Sequence, residues 1–238
     1  KMIVIPLIFV SITSAIANLK DAKTLGRAGA LIIVPEFKAP DYLRLAARER
    51  ATQTIMVPAM YQLLLLQENC RQHDLSHWTV GGFGGAPMPP ETIDRLAQWL
   101  PGLRLSNCYG ATETTSPVAV MPAQLTRTHL ASVGLALPCA DIAVMDDDGR
   151  ALPADEVGEL WLKGPMVAKG YWNNPQATQE NFVDGYWRSG DVGRMDAQGF
   201  VYVMDRRKDM LNRGYITLTP LRFDFTDPAG LNALQDMK

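Results

Sequence analysis

"WTVGGFGGAPMPPETIDRLAQWLPGLRLSNCYGATETTSP", residues 78–117, is the stretch whose reading decides the fold. It opens with an apolar, strand-like run from Trp78 to Phe83 that passes directly into small residues. A helix is expected next: Pro89 and Pro90 suit a first turn, where a missing N–H costs nothing, and Glu91 and Asp94 lie near the positive end of the helix dipole. Leu103 to Cys108 then reads as a second strand, after which Tyr109 to Thr115 packs an aromatic, a glycine, three threonines and a carboxylate into a few positions. Strand, helix and strand in succession describe a parallel pair joined by a crossover.

The same alternation extends upstream. "ALIIVP" (30–35) reads as a fully buried strand, "APDYLRLAARERA" (39–51) as a helix started by Asp41, "TQTIMVP" (52–58) as a strand and "AMYQLLLLQE" (59–68) as a helix, its leucines Leu63 to Leu66 assigned to the core. The implied fold class is α/β, a parallel sheet flanked by helices on both faces. Residues 2–19, "MIVIPLIFVSITSAIANL", are uncharged and admit a targeting or membrane reading. Pro6 and the hydrogen-bonding side chains of Ser11, Thr13, Ser14 and Asn18 favour a buried strand followed by a covered helix, so no stable membrane span is expected.

Downstream the pattern changes near Ala131. "ADIAVMDDDGRAL", "GELWLKG" and "GYWRSGDVGRMDAQGFVYVMDR" carry antiparallel strand signals with Asp-Gly and Asp-Ala-Gln-Gly turns, and "NNPQATQENF" reads as a short helix between them. The expected organisation is an α/β part over residues 1–130, a smaller antiparallel β subdomain over 131–205 and a divergent segment over 206–238.

Composition narrows the function. A net charge of −2 over 238 residues, with no basic stripe, argues against nucleic acid. The three cysteines, Cys70, Cys108 and Cys139, form no CxxC pair and indicate neither a disulfide framework nor a zinc site, which suits a reducing cytoplasm. His73 and His77 have a spacing that helix metal ligands can use, but "RQHDLSHW" reads as a solvated loop, and "DDDGR" (146–150) as a turn and not a calcium loop.

In an open α/β sheet, ligands bind beyond the carboxyl ends of the strands, which singles out "GGFGGAPMPP" and "YGATETTSP". Small residues at Gly82, Gly84, Gly85 and Ala86 allow backbone to approach a flat ring. Tyr109 could stack on a base, Thr112 could donate to a phosphate oxygen, and Glu113 could hold a Mg²⁺ ion that bridges phosphates. Each feature also has a plainer reading, a turn for the glycines and a helix cap or solvated acid for Glu113. The spacing matches neither GxGxxG nor GxxxxGK[ST].

Taken in order, Gly84-Gly85-Ala86-Pro87, Tyr109-Gly110-Ala111-Thr112-Glu113, Gly158-Glu159-Leu160, Ser189-Gly190-Asp191 and Asp205-Arg206-Arg207-Lys208-Asp209 resemble the motifs of the adenylate-forming superfamily. Acyl-CoA synthetases, peptide-synthetase adenylation domains and luciferases are its members. The resemblance runs over nearly all of residues 30–214 and implies half of the large adenylating domain. It implies that Gly84 to Pro87 line the adenine, Tyr109 stacks on it, Gly110 leaves room beside the substrate, Thr112 touches the α-phosphate and Glu113 binds Mg²⁺. Asp191 would accept the ribose hydroxyls, Arg206 would reach the ribose or phosphates, and Lys208 would be the interdomain hinge.

The implied reaction is an acid–CoA ligation. A carboxylic acid and ATP would give an acyl-adenylate, and CoA as co-substrate would then give a thioester and AMP. "YGATETTSP" and "GPMVAKGYWNNPQATQENF" resemble fatty-acyl or aryl-acyl ligases more than peptide-synthetase domains. A homodimer is the expected assembly if the chain self-associates. The resemblance also implies a Ser/Thr/Gly-rich phosphate loop upstream and a catalytic lysine downstream, neither within this sequence, and only Phe9 stands for an aromatic expected near "PLIFV". The chain therefore reads as the central piece of a ligase, expected to bind AMP or ATP weakly and to form little thioester alone. The competing reading is a non-catalytic, nucleotide-binding or structural remnant.

Overall fold

The computed structural model describes residues 2–6, 30–34, 36–206, 212–213 and 216–217. The readings of the covered helix and Phe9 in the first 29 residues, and of Lys208, lie outside the described residues. The first part follows β1 (Met2–Pro6), β2 (Ala30–Val34), α1 (Ala39–Arg48), β3 (Gln53–Met56), α2 (Pro58–Leu65), β4 (Val80–Gly84), α3 (Pro90–Trp99) and β5 (Arg104–Tyr109). Each of the three helices carries proline in its first turn, where the ring's fixed φ is already helical and no backbone bond is lost. In α1, Asp41 lies in the first turn and Arg48 in the last, so both charges oppose the helix dipole favourably.

These five strands pair in parallel in the order β2-β1-β3-β4-β5. The connections from β2 to β3, β3 to β4 and β4 to β5 all move the same way across the sheet. Right-handed crossovers then place these three helices on one face, where the sequence implied helices on both, and α2 packs against α1 and α3. Beneath them Tyr42, Leu43, Tyr61, Leu64, Trp78, Ile93 and Leu96 form a fully buried core with Met56 and Phe83 of the sheet. Tyr61 stacks on Trp78 at 6.0 Å, and its hydroxyl donates to the Gly82 carbonyl at 2.9 Å, so the ring is buried without an orphaned polar group.

After β5 the chain reverses. The remaining elements are β6 (Ala119–Val120), β7 (Gly134–Ala136), β8 (Asp141–Met145), β9 (Gly158–Lys163), α4 (Pro175–Asn181), β10 (Phe182–Val183), β11 (Tyr186–Met195) and β12 (Phe200–Arg206), with β13 (Asn212–Arg213) and β14 (Ile216–Thr217) as a separate pair. Antiparallel pairing begins at Cys108↔Val120 and continues through β6, β7, β12, β11, β9 and β8, so the parallel and antiparallel parts share one mixed sheet. A second core, including Val118, Ile142, Leu160, Leu162, Trp187 and Val201, covers this part. The Asp146–Arg150 stretch is a tight turn, closed by Arg150 N–H to the Asp146 carboxylate at 2.8 Å. Among the described residues no helix is long and apolar enough to cross a membrane.

The leucine run needs a correction. Leu64 is fully buried, but Leu63 is 46% and Leu66 66% exposed. A helix turns about 100° per residue, so four consecutive leucines cannot all face one sheet. The expectation that "ALIIVP" is a fully buried strand holds at Val34, which is buried, and changes at Ile32, which is only partly buried.

Leu64→Ala should lower unfolding stability by about 2–5 kcal/mol, whereas Leu63→Ala should stay within about 0.5 kcal/mol. Urea denaturation of both variants measures the contrast, and equal losses would contradict the helix orientation.

Candidate functional site

Two loops leave the carboxyl ends of neighbouring strands, β4 and β5. Gly84, buried, pairs with Cys108; a Cβ on Gly84 would fall 2.2 Å from the Cys108 carbonyl oxygen, so only glycine lets the strands come this close. Gly85 follows at φ +76°, and Ala86 and Pro87 continue as exposed loop before α3. Burial pushes the Cys108 thiol up, to about 11.

Tyr109 is the last residue of β5 and half-buried. Beyond it, residues 112–114 form a single 3₁₀ turn. The organiser of this turn is Thr114, wholly buried: its hydroxyl accepts from Ala111 N–H at 2.9 Å and lies 2.9 and 2.8 Å from the Ala111 and Ser116 carbonyls, either of which takes its proton. Thr115 holds a left-handed φ of +53°, unfavourable for a β-branched residue. Its hydroxyl donates to the Met166 carbonyl at 2.9 Å, which helps to fix it there. The turn leaves Thr112 exposed and Glu113 half-buried, while Gly110 has no room for a Cβ, which would lie 2.7 Å from the Ser116 carbonyl oxygen.

Asp191 reaches the same edge from the antiparallel part. The Tyr109 hydroxyl donates to Asp191 Oδ2 at 2.6 Å, across 82 residues of sequence. Asp191 is aimed by a β-bulge: the register of β11 shifts against β9 between Arg188 and Val192 and against β12 between Val192 and Gly193, and Gly190 takes φ +73°. The buried Glu159 carboxylate holds this bulge, accepting Gly190 N–H at 3.2 Å on one oxygen and Arg188 at 2.9 Å on the other. Ser189 completes it, donating to the Leu160 carbonyl at 2.6 Å and accepting from Asp191 N–H at 3.0 Å. Arg206 ends β12 directly opposite Asp191 in the ladder.

A third segment closes over Glu113. The Ala168 N–H donates to the Glu113 carbonyl at 2.7 Å, and the Tyr171 hydroxyl donates to Glu113 Oε1 at 3.0 Å while accepting the Trp187 indole N–H at 3.2 Å. Burial first, and then the bond to Glu113, push the Tyr171 phenol up, against the opposing effect of Trp187, so it remains a proton donor at neutral pH.

The structure therefore brings Tyr109 and Asp191 into contact, sets Gly84 beside the strand that carries Tyr109, and puts Glu113 one turn further on. Thr112, Ala86 and Pro87 are exposed. Sequence reading missed Thr114, Glu159, Ser189, Tyr171 and Trp187. Glu159 and Ser189 lay inside quoted motifs without roles, and Tyr171 inside "GPMVAKGYWNNPQATQENF". Among the described residues no three His, Cys, Asp or Glu side chains cluster as a self-sufficient metal centre. A single half-buried carboxylate fits Mg²⁺ of the kind held by one or two carboxylates plus phosphate oxygens and water.

Residues 23–172 match the family described as AMP-binding enzyme. A feruloyl-CoA synthase of Amycolatopsis sp is 34% identical over 197 residues, covering 83% of this chain and 40% of that protein. A medium/long-chain-fatty-acid–CoA ligase of Mycobacterium tuberculosis is 32% identical over 198 residues, covering 83% and 34%. The fold is similar to that of a Mycobacterium tuberculosis fatty acyl CoA synthetase, with TM-score 0.78, 28% identity and coverage of 89% and 41%. It is equally similar to the Bacillus subtilis O-succinylbenzoate coenzyme A synthetase in complex with ATP and magnesium ion, at TM-score 0.78, 28% identity and coverage of 90% and 43%. The chain spans about a third to two-fifths of the length of these proteins.

Glu159→Ala would remove the acceptor of both Arg188 and Gly190 N–H. Because Arg188 is partly solvated, the expected loss is about 2–3 kcal/mol in thermal or urea unfolding. A loss below about 0.5 kcal/mol would show that the bulge stands without it. Alkylation at pH 8 followed by mass spectrometry should modify the exposed Cys139 well before Cys108.

Proposed function

Because the chain belongs to the family of AMP-binding enzymes, we propose that it carries the nucleotide-binding centre of an ATP-dependent acid–CoA ligase acting on a fatty-acyl or aryl-acyl carboxylic acid. The observation that carries the reading is the 2.6 Å bond between Tyr109 and Asp191, which puts an aromatic face and a hydroxyl-accepting carboxylate at one sheet edge. A nucleoside needs both, a flat surface for its base and an acceptor for its sugar. The named acyl-CoA ligases among the relatives support the ligase class, and the sites of this chain would then serve that chemistry.

In this reading Gly84 to Pro87 border the adenine, Tyr109 stacks on it and Asp191, with Arg206 beside it, takes the ribose. Thr112, exposed at the start of the turn, donates to the α-phosphate. Glu113 would hold magnesium, which with phosphate oxygens would neutralise charge as pyrophosphate leaves. A substrate carboxylate displaces pyrophosphate from the α-phosphorus of ATP, and the CoA thiol then displaces AMP from the acyl carbonyl. Neither step requires a side-chain nucleophile, so the work of these residues is alignment and charge stabilisation. Lys208 is the proposed hinge between this part and a following domain, and a reducing cytoplasm suits three free thiols.

Calorimetric titration with AMP tests the assignment. Wild-type chain should bind AMP, and Asp191→Asn, which retains shape but removes the charged acceptor, should weaken binding roughly tenfold. No binding by the folded wild type would sink the nucleotide reading, and unchanged affinity in D191N would remove Asp191 from it. Thioester formation from ATP, CoA and a panel of fatty and aryl acids then addresses the substrate.

A further inference from the structure

We propose that Tyr171 is a positioning residue for Glu113, a role that rests on the reading of Glu113 as the magnesium ligand. Glu113 sits in the middle of a one-turn 3₁₀ helix, where backbone φ and ψ narrow the choice of rotamer but do not aim the terminal carboxylate. Tyr171, 58 residues away in sequence, supplies that aim through its hydroxyl, 3.0 Å from Glu113 Oε1.

Proton counting fixes the direction of the bond. An indole N–H can only donate, so at the 3.2 Å contact with Trp187 the Tyr171 oxygen is the acceptor. Its single proton is then committed to Glu113. The carboxylate keeps acceptor capacity for a cation, since its two oxygens offer about four lone-pair directions and Tyr171 occupies one of them.

Tyr171 is itself well held. Its N–H donates to Thr178 Oγ1 at 2.9 Å, and its ring meets Phe182 edge-on at 5.4 Å. Trp187 is 5% exposed within the second core. The backbone on the same side repeats the tie, with Ala168 N–H on the Glu113 carbonyl at 2.7 Å. Backbone and carboxylate of Glu113 are thus both fixed by the segment between β9 and β11. A metal ligand whose orientation is set beforehand loses less freedom on binding, and its supporting hydrogen bonds commonly control affinity.

Tyr171→Phe keeps the ring and its contact with Phe182 while deleting the hydroxyl. The test is calorimetric titration of the 238-residue chain with ATP, once with excess Mg²⁺ and once with EDTA. Wild type should bind ATP more tightly with Mg²⁺. In Y171F this Mg²⁺-dependent gain should fall roughly tenfold, with affinity for metal-free ATP unchanged. Glu113→Gln serves as reference and should abolish the gain. If E113Q loses the gain and Y171F retains it, Tyr171 does not position Glu113, although the metal role of Glu113 stands. Equal weakening of metal-free and Mg²⁺-bound ATP in Y171F would show a general structural role and overturn the proposal. If E113Q itself leaves the gain intact, the metal reading of Glu113 falls, and the role of Tyr171 with it.

Discussion

One buried hydroxyl, that of Thr114, sustains the turn on which the rest of the site depends. By accepting from Ala111 N–H and giving its one proton to the Ala111 or the Ser116 carbonyl, it satisfies backbone groups that a reversal this tight would otherwise leave unpaired in the protein interior. With the turn closed, Val118 N–H returns to the Tyr109 carbonyl at 2.7 Å and β6 pairs with β5. That pairing carries the sheet from parallel to antiparallel and brings β7, β12 and β11 into line. Asp191 arrives beside Tyr109 as a result of this sequence of pairings.

The junction of the two parts is polar where a simple packing argument would make it greasy. Asn107 donates to the Ser132 carbonyl at 3.2 Å, Ser132 donates to the Val201 carbonyl at 2.7 Å, and Thr126 donates to the Leu105 carbonyl at 2.6 Å. These side chains are buried and partnered, so they add direction to the contact without an unsatisfied group. A hydrophobic junction could slide in register, whereas one made of these bonds has a single solution. The bulge at Gly190 is then built from the same kind of material, a buried carboxylate and a hydroxyl acting on backbone.

Much of the α/β fold was legible because its signals are local. Proline at a helix start and apolar runs of strand length each act within a few residues. The motifs likewise pointed to Tyr109, Glu113 and Asp191. What could not be read were the groups that act at long range on backbone. Thr112 drew attention as the phosphate contact, while Thr114, two positions on, is the buried anchor; nothing in a run of threonines says which hydroxyl turns inward. Tyr171 and Trp187 meet only because α4 and β10 fold back between them. The leucine run misled for the opposite reason: composition suggested core, but helical rotation exposes Leu63 and Leu66.

The bond between Tyr109 and Asp191 also has an energetic meaning for whatever hydroxylic molecule comes to this edge. The Tyr109 bond occupies one acceptor direction of Asp191 Oδ2, so a hydroxyl arriving along that direction would exchange one donor for another, and the gain there would be a difference between two similar bonds. Selectivity would then come from valence: a vicinal diol can engage both carboxylate oxygens at once, which a lone phenol cannot. Under the proposed nucleotide reading, such an exchange would favour ribose over deoxyribose by geometry more than by strength, and would free the tyrosine ring to tilt once its hydroxyl is released.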